Sequence, residues 1–304
     1  MTIRYLGAAF ALKLFSCSPQ TKRIYRFLGN TIGARNRLKI GLPASYVHRS
    51  KWFLRLFQKY DFMQEGSRLL ELGTGWVHWD STFLRLFYDA NITLFDVWDN
   101  RQLQPFKKYF SEFHNVFEKE IYIPPPRRDR VEKLLDAIAA VNSFDELYHL
   151  LGFEYVIEPT GKLHNFKDEF FDACFSYNVL EHVDKKIVSG YIRDLYRLLK
   201  GGGYSLHVID ISDHLSNYDL GVCRKHYLRY SDPVWMLCFE NEVQYFNRVQ
   251  RVEWLKLLRE AGFDLLEEEP VFQPIRTRVN ERYKTLDTKD IECTTLRIVH
   301  RKPL

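Results

Sequence analysis

From Arg68 onward, short apolar runs of strand length alternate with helical stretches. That alternation restricts the chain to a parallel sheet covered by helices on both faces. The clearest strand signals are RLLEL at 68–72, NITLFDVWD at 91–99, FFDACFS at 170–176 and YSLHVID at 204–210. A shorter strand is expected at 154–157, and two closing strands at 263–268 and 294–299. Helices are expected at 80–90, with Asp80 or Ser81 as N-cap, near 129–141 after the Pro124-Pro125-Pro126 stop, near 143–151, at 186–200 before Gly201-Gly202-Gly203, and at 251–261 before Gly262. The expected fold is α/β, a doubly wound, mostly parallel seven-stranded sheet, and 304 residues are ample for its core.

Residues 1–66 are different in kind and form a basic helical N-terminal extension. The first sixty residues carry twelve Lys or Arg and no Asp or Glu, so they hold +12 while the rest of the chain holds −7, together the formal +5. An acid-free opening of this kind fits an anionic neighbour such as a lipid surface, a phosphorylated acceptor or nucleic acid, or else a plain solvated face. Within it, 48–60 reads as an amphipathic helix with Trp52, Phe53, Leu56, Phe57 and Tyr60 on one stripe and Lys51, Arg55 and Lys59 on another. The apolar stripe is expected to dock on the protein, leaving electrostatics to carry any peripheral membrane contact. Charges interrupt every apolar run before the length of a membrane span, and the run at 5–17 contains Lys13, so neither a span nor a signal peptide is expected. Five cysteines without a CxxC pair point away from a disulfide framework or thiolate zinc site and towards a reducing, cytoplasmic compartment. The main domain is expected at 67–304, with insertions at about 101–152 and 211–250.

Gly73 and Gly75 follow the first strand, where open α/β sheets bind ligands and where a missing side chain admits a cofactor. A dinucleotide site would continue to a third glycine at 78, which here is His78. Instead an acid precedes the turn, giving Glu71-Leu72-Gly73-Thr74-Gly75. With Asp96 closing ITLFD, then FFDACFSYNVLEHV, LLKGGGYSLHVID and LREAGF in order, the stretch from about 68 to 301 resembles the class I S-adenosylmethionine-dependent methyltransferases. The resemblance implies S-adenosylmethionine as cofactor, with Glu71, Gly73, Thr74, Gly75, Asp96, Ser176 and Asn178 around it. An acid beside the turn can attract the cofactor's ammonium, and Asp96 can accept from both ribose hydroxyls. Asp99 is a second choice for the ribose, and Glu158 an imperfect match for the adenine contact.

Methyl transfer from a sulfonium needs mainly alignment and exclusion of water, and a hydroxyl acceptor benefits from a base near neutral pKa. His207 reads as core from its mid-strand position. His182 and His214 follow consecutive strands on the ligand edge and are the candidate catalytic residues, with Asp210 or Asp213 to orient His214. A magnesium site of Asp210, Asp213 and His214 is weighed and set aside, so no metal is expected. The second insertion carries Arg224, Tyr227, Arg229, Tyr230, Trp235 and Arg248, a mixture able to grip a sugar or anion, or to form a packed lid. The leading function is O-methylation of a small-molecule, sugar or lipid-linked glycan acceptor. An RNA methyltransferase and a non-catalytic cofactor-binding protein are the alternatives; no RNA-binding module is legible, and nucleic acid is not the expected partner.

Overall fold

A computed structural model describes residues 3–123 and 125–304. Pro124, the first of the three prolines expected to stop the chain, lies outside the described residues. Three helices open the chain, α1 (Ile3–Ser16), α2 (Pro19–Ile40) and α3 (Ala44–Tyr60). There follow β1 (Ser67–Leu72), α4 (Trp79–Phe87), β2 (Ala90–Asp96), α5 (Leu103–His114), α6 (Phe117–Glu120), α7 (Pro125–Ala140), α8 (Phe144–Leu151), β3 (Phe153–Ile157) and β4 (Phe171–Tyr177). The chain closes with α9 (Val188–Leu198), β5 (Leu199–Asp210), α10 (Asp232–Cys238), α11 (Arg251–Glu260), β6 (Asp264–Phe272), α12 (Thr288–Glu292) and β7 (Cys293–Arg301). The sheet has seven strands in the order β3-β2-β1-β4-β5-β7-β6, with β1, β2 and β3 parallel and β7 antiparallel to both β5 and β6. This is the doubly wound, mostly parallel sheet expected from the alternation, preceded by a helical N-terminal extension.

Three local expectations are corrected. Asp80 and Ser81 do not cap α4. The helix starts from His78, in the left-handed region at φ 39° with no side-chain cap, because Asp80 is drawn into a buried ion pair with Arg49 (2.9 Å) and Ser81 donates to Glu71. Gly201–Gly203 do not end a helix but lie inside β5. The stretch 101–152 holds four helices rather than two, because Phe106, Tyr109, Phe110 and Phe113 form a buried α5 stripe against Trp79 of α4.

The chain divides into two compact units: Gly29–Phe175, and Ser176–Leu304 together with Leu28 and the residues before it. In the first, Phe53 and Phe57 of α3 are buried against Phe175 of β4, as the amphipathic stripe requires, while Trp52 is only half-buried. In the second, Tyr5, Ala9 and Leu12 of α1 are buried at helical spacing in a cluster with Leu215, Tyr227, Trp235, Phe239, Phe246 and Tyr283. Tyr5 donates its hydroxyl hydrogen to Asp213 (2.8 Å), tying α1 to the loop after β5.

Candidate functional site

In the unit Gly29–Phe175, the turn after β1 is set by two glycines and by the acid that closes β2. Gly73 and Gly75 adopt φ 64° and 67°, the left-handed region that glycine enters without strain. A Cβ added at Gly75 would meet nothing nearer than the Gly73 carbonyl oxygen at 4.0 Å, so the turn faces open space that a side chain would fill. Asp96, at the end of parallel β2, accepts the Gly75 N–H at Oδ2 (3.0 Å) and the Val97 N–H at Oδ1 (2.7 Å). Its carboxylate thus fixes the turn. Burial pushes its pKa up, and the three backbone N–H groups around it oppose the shift.

Glu71 is buried below the turn, where Oε2 accepts from Thr74 Oγ1 (3.2 Å) and from Ser81. Burial, reinforced by the nearby Asp80 carboxylate, pushes its pKa up to about 8. Thr74 also meets His78 Nδ1 (2.7 Å), and His78 Nε2 meets the Tyr148 hydroxyl of α8 (2.8 Å). Burial drives the His78 pKa down to about 3, so the imidazole is neutral and acts as a hydrogen-bonded strut between the turn and α8. The residue that breaks the dinucleotide pattern therefore supports this turn, a role the sequence reading did not assign. Beside it Arg101 lies over Tyr155 (4.8 Å) and pairs with Asp99 (2.7 Å), which is neither a helix cap nor buried. Glu158 accepts from Thr160 and caps its own turn.

In the other unit, Ser176 is fully buried, with its hydroxyl turned inward to His207 Nδ1 (2.7 Å). His207 is also held by Ser205 (2.8 Å), and burial pushes its pKa down to about 3, which is the core role expected of it. Asn178 stands at φ 55° with its N–H donating to Val208 (2.8 Å). Beyond it, His182 and His214 come together with ring centroids 5.1 Å apart. His182 is solvent-exposed, and its Nδ1 lies 2.6 Å from the Tyr245 carbonyl oxygen. His214 Nε2 lies 3.7 Å from Asp210 Oδ2. Burial, with His182 adding to it, lowers the His214 pKa to about 4, so the ring is neutral at pH 7.

Asp213 does not join this group. It is fully buried, accepts from Tyr5 and from the Leu215 N–H (3.0 Å), and its pKa is raised to about 7 by burial. Of the two acids proposed to orient His214, Asp210 is the one brought near. The aromatic and basic insertion is mainly packing: Tyr227, Trp235, Lys225 and Arg248 are buried, with Lys225 donating to Gln250 (2.7 Å) and to the Cys293 carbonyl (2.8 Å). Glu181, next to His182 and fully buried, was not singled out from the sequence; the signal was an acid inside the apolar run NVLEHV.

A family model described as a methyltransferase domain matches residues 46–268. The chain belongs to the methyltransferase-domain family. It is a class I S-adenosylmethionine-dependent methyltransferase, and the open space at Gly75 together with the acids Glu71 and Asp96 fits that cofactor. No curated protein matches the sequence of this methyltransferase. Among solved structures, a candidate methyltransferase from Bacillus halodurans is 15% identical over 83% of this chain and 99% of that one, with a TM-score of 0.43. A candidate sarcosine dimethylglycine methyltransferase from Galdieria sulphuraria is 11% identical over 84% of this chain and 86% of that one, at 0.49. The Haemonchus contortus phosphoethanolamine N-methyltransferase 2, solved with S-adenosylhomocysteine and phosphomonomethylethanolamine, is 13% identical over 83% of this chain and 52% of that one, at 0.46.

Proposed function

We propose that this methyltransferase transfers a methyl group to a hydroxyl of a glycan or lipid-linked acceptor at an anionic membrane face. The observation that carries the hydroxyl is the grouping of His182, His214 and Asp210 after β4 and β5. An amine acceptor arrives with its own lone pair once deprotonated, whereas a hydroxyl needs its proton handled as the carbon–oxygen bond forms. In the turn unit, Glu71 would meet the cofactor's ammonium, Gly73, Thr74 and Gly75 would line its methionine end, and Asp96 would accept from the ribose. Ser176 and Asn178, which the resemblance also implies for the cofactor, belong to the other unit. The cofactor, when bound, would supply an electrophilic methyl group, and the role proposed for His182 and His214 is to take the proton that a hydroxyl acceptor gives up.

The membrane part of the reading rests on the N-terminal helices. α1 is apolar on both its buried and its exposed side apart from Arg4 and Lys13: Tyr5, Ala9 and Leu12 are buried, while Ile3 (89%), Leu6, Phe10 (66%) and Leu14 are exposed. α2 has no buried residue yet carries Ile24, Phe27 (68%), Leu28 and Ile32 exposed, with Arg4 and Arg23 exposed nearby in the chain. Exposed apolar side chains with cations nearby suit an anionic lipid surface, although Glu242, paired with Lys22 of α2, adds an acid beside them. This revises the expectation of purely electrostatic contact: the α3 stripe is buried, but α1 and α2 supply apolar side chains of their own. Lys51, held by Glu120 (2.6 Å), contributes little. No helix among the described residues is long and apolar enough to cross a membrane.

The test is product analysis. Purified protein is incubated with cofactor carrying an isotopically labelled methyl group and a lipid-linked glycan extract. A labelled methyl ether is expected, and His214→Ala should lower its formation by about two to four powers of ten. Label on nitrogen or in RNA would overturn the reading.

A further inference from the structure

Glu181 is the most anomalous side chain in its unit. It is 2% exposed, and neither carboxylate oxygen has a hydrogen-bond partner among the described residues. The amides of Glu181 itself and of Asp210 lean towards it without reaching hydrogen-bond geometry. A buried carboxyl group left without a partner costs several kcal/mol in principle, so a chain that keeps one has a use for it. Its surroundings indicate the use. One ligand-type atom each from Glu181, His182 and His214 lies within 4.8 Å of the others.

We infer that Glu181, His182 and His214 bind a divalent transition-metal ion. Two imidazoles and one carboxylate form a donor set that suits zinc, iron(II) or manganese and leaves coordination positions open, whereas magnesium and calcium prefer oxygen alone. His182 also has the outer partner that metal-binding imidazoles use. His182 donates from Nδ1 to the Tyr245 carbonyl, which fixes its tautomer and frees the Nε2 lone pair. His214 Nε2 lies 3.7 Å from Asp210 Oδ2, beyond hydrogen-bond distance. This set differs from the Asp210, Asp213 and His214 group weighed from the sequence, because Asp213 is turned into the core towards Tyr5.

The inference rests on the hydroxyl reading for its purpose. A cation at this cluster lowers the acceptor hydroxyl's pKa, so the proton leaves to water and His214 acts as a ligand rather than as the proton's first recipient. The existence of the site is tested without acceptor or cofactor. Cys17 and Cys238 are exposed thiols that would also take zinc, so the background variant is Cys17→Ser with Cys238→Ser. After chelator treatment and dialysis, calorimetry with Zn2+ should show one site, with Mg2+ and Ca2+ giving at least tenfold weaker binding. Glu181→Gln and His182→Ala should each weaken Zn2+ binding at least tenfold while far-ultraviolet circular dichroism stays unchanged. Absence of Zn2+ binding, or equal binding by both variants, overturns the site. If Glu181→Gln misfolds, His182→Ala at the exposed ligand decides alone. Absence of Zn2+ binding with methyl ethers still formed would refute this inference and leave the proposed function standing; Zn2+ binding with methylated nitrogen would do the reverse.

Discussion

Gly75 and Gly66 form a matched pair that separates backbone strain from cofactor binding. Both lie in the left-handed region, at φ 67° and 76°, and a Cβ at either meets nothing closer than 4.0 Å. Replacing either by alanine should therefore cost the same, about 1–2 kcal/mol for placing a side chain in that region. In a chain of 304 residues that corresponds to a Tm lower by about 1.5–3 °C. The two sites differ in what the methyl group faces. Gly66 precedes β1, at the end of the strand opposite the ligand turn, whereas Gly75 follows it beside the carboxylate of Asp96. Gly75→Ala should weaken S-adenosylhomocysteine binding at least tenfold, and Gly75→Asp should abolish it. Gly66→Ala should bind within twofold of the parent chain. Differential scanning fluorimetry gives the stability and calorimetry the affinity. If Gly75→Ala binds as the parent chain does, the cofactor does not lie against this turn.

Two further perturbations probe the outer parts of the account. Phe10 and Phe27 together should contribute about 3 kcal/mol to lipid partition when their exposed faces insert, roughly a hundredfold. Phe10→Ser with Phe27→Ser should remove the salt-resistant part of sedimentation with anionic vesicles, and Arg4→Glu with Arg23→Glu the anionic preference; unchanged sedimentation in both, or a preference for RNA over vesicles, would refute the membrane reading. Asp213 has a folded-state pKa near 7 against 3.8 for an ordinary aspartate. Its contribution to stability is therefore complete below about pH 4 and is lost as pH rises to about 7, at up to roughly 1.4 kcal/mol per pH unit. Denaturant titrations of Asp213→Asn should show a flatter profile than the parent chain over that window, and parallel profiles would contradict the assignment.

The sheet was legible because its strands are short apolar runs punctuated by glycine, a pattern that burial on both faces imposes. The glycine turn after β1 was legible for the same reason: Gly73 and Gly75 stand where only glycine is free of strain, and the acids Glu71 and Asp96 bracket them. What escaped depends on partners distant in sequence. Nothing near Asp80 announces Arg49, so its ion pair read as a helix cap. The α5 stripe at Phe106, Tyr109, Phe110 and Phe113 has clear helical spacing, yet its place after an irregular loop hid it. The outward face of α1 was hidden because Tyr5 and Ile3 are both apolar in the sequence, and only packing decides which is buried. Glu181 looked like an ordinary acid until its burial without a partner was visible.

The central claim is that the turn at Gly73–Gly75 holds S-adenosylmethionine, and equilibrium titration of the parent chain tests it without knowledge of the acceptor. Calorimetry should give micromolar affinity for S-adenosylmethionine and for S-adenosylhomocysteine, with NAD inert because His78 stands where a dinucleotide site needs glycine. Tight binding of NAD with no binding of either sulfur nucleoside would contradict the account.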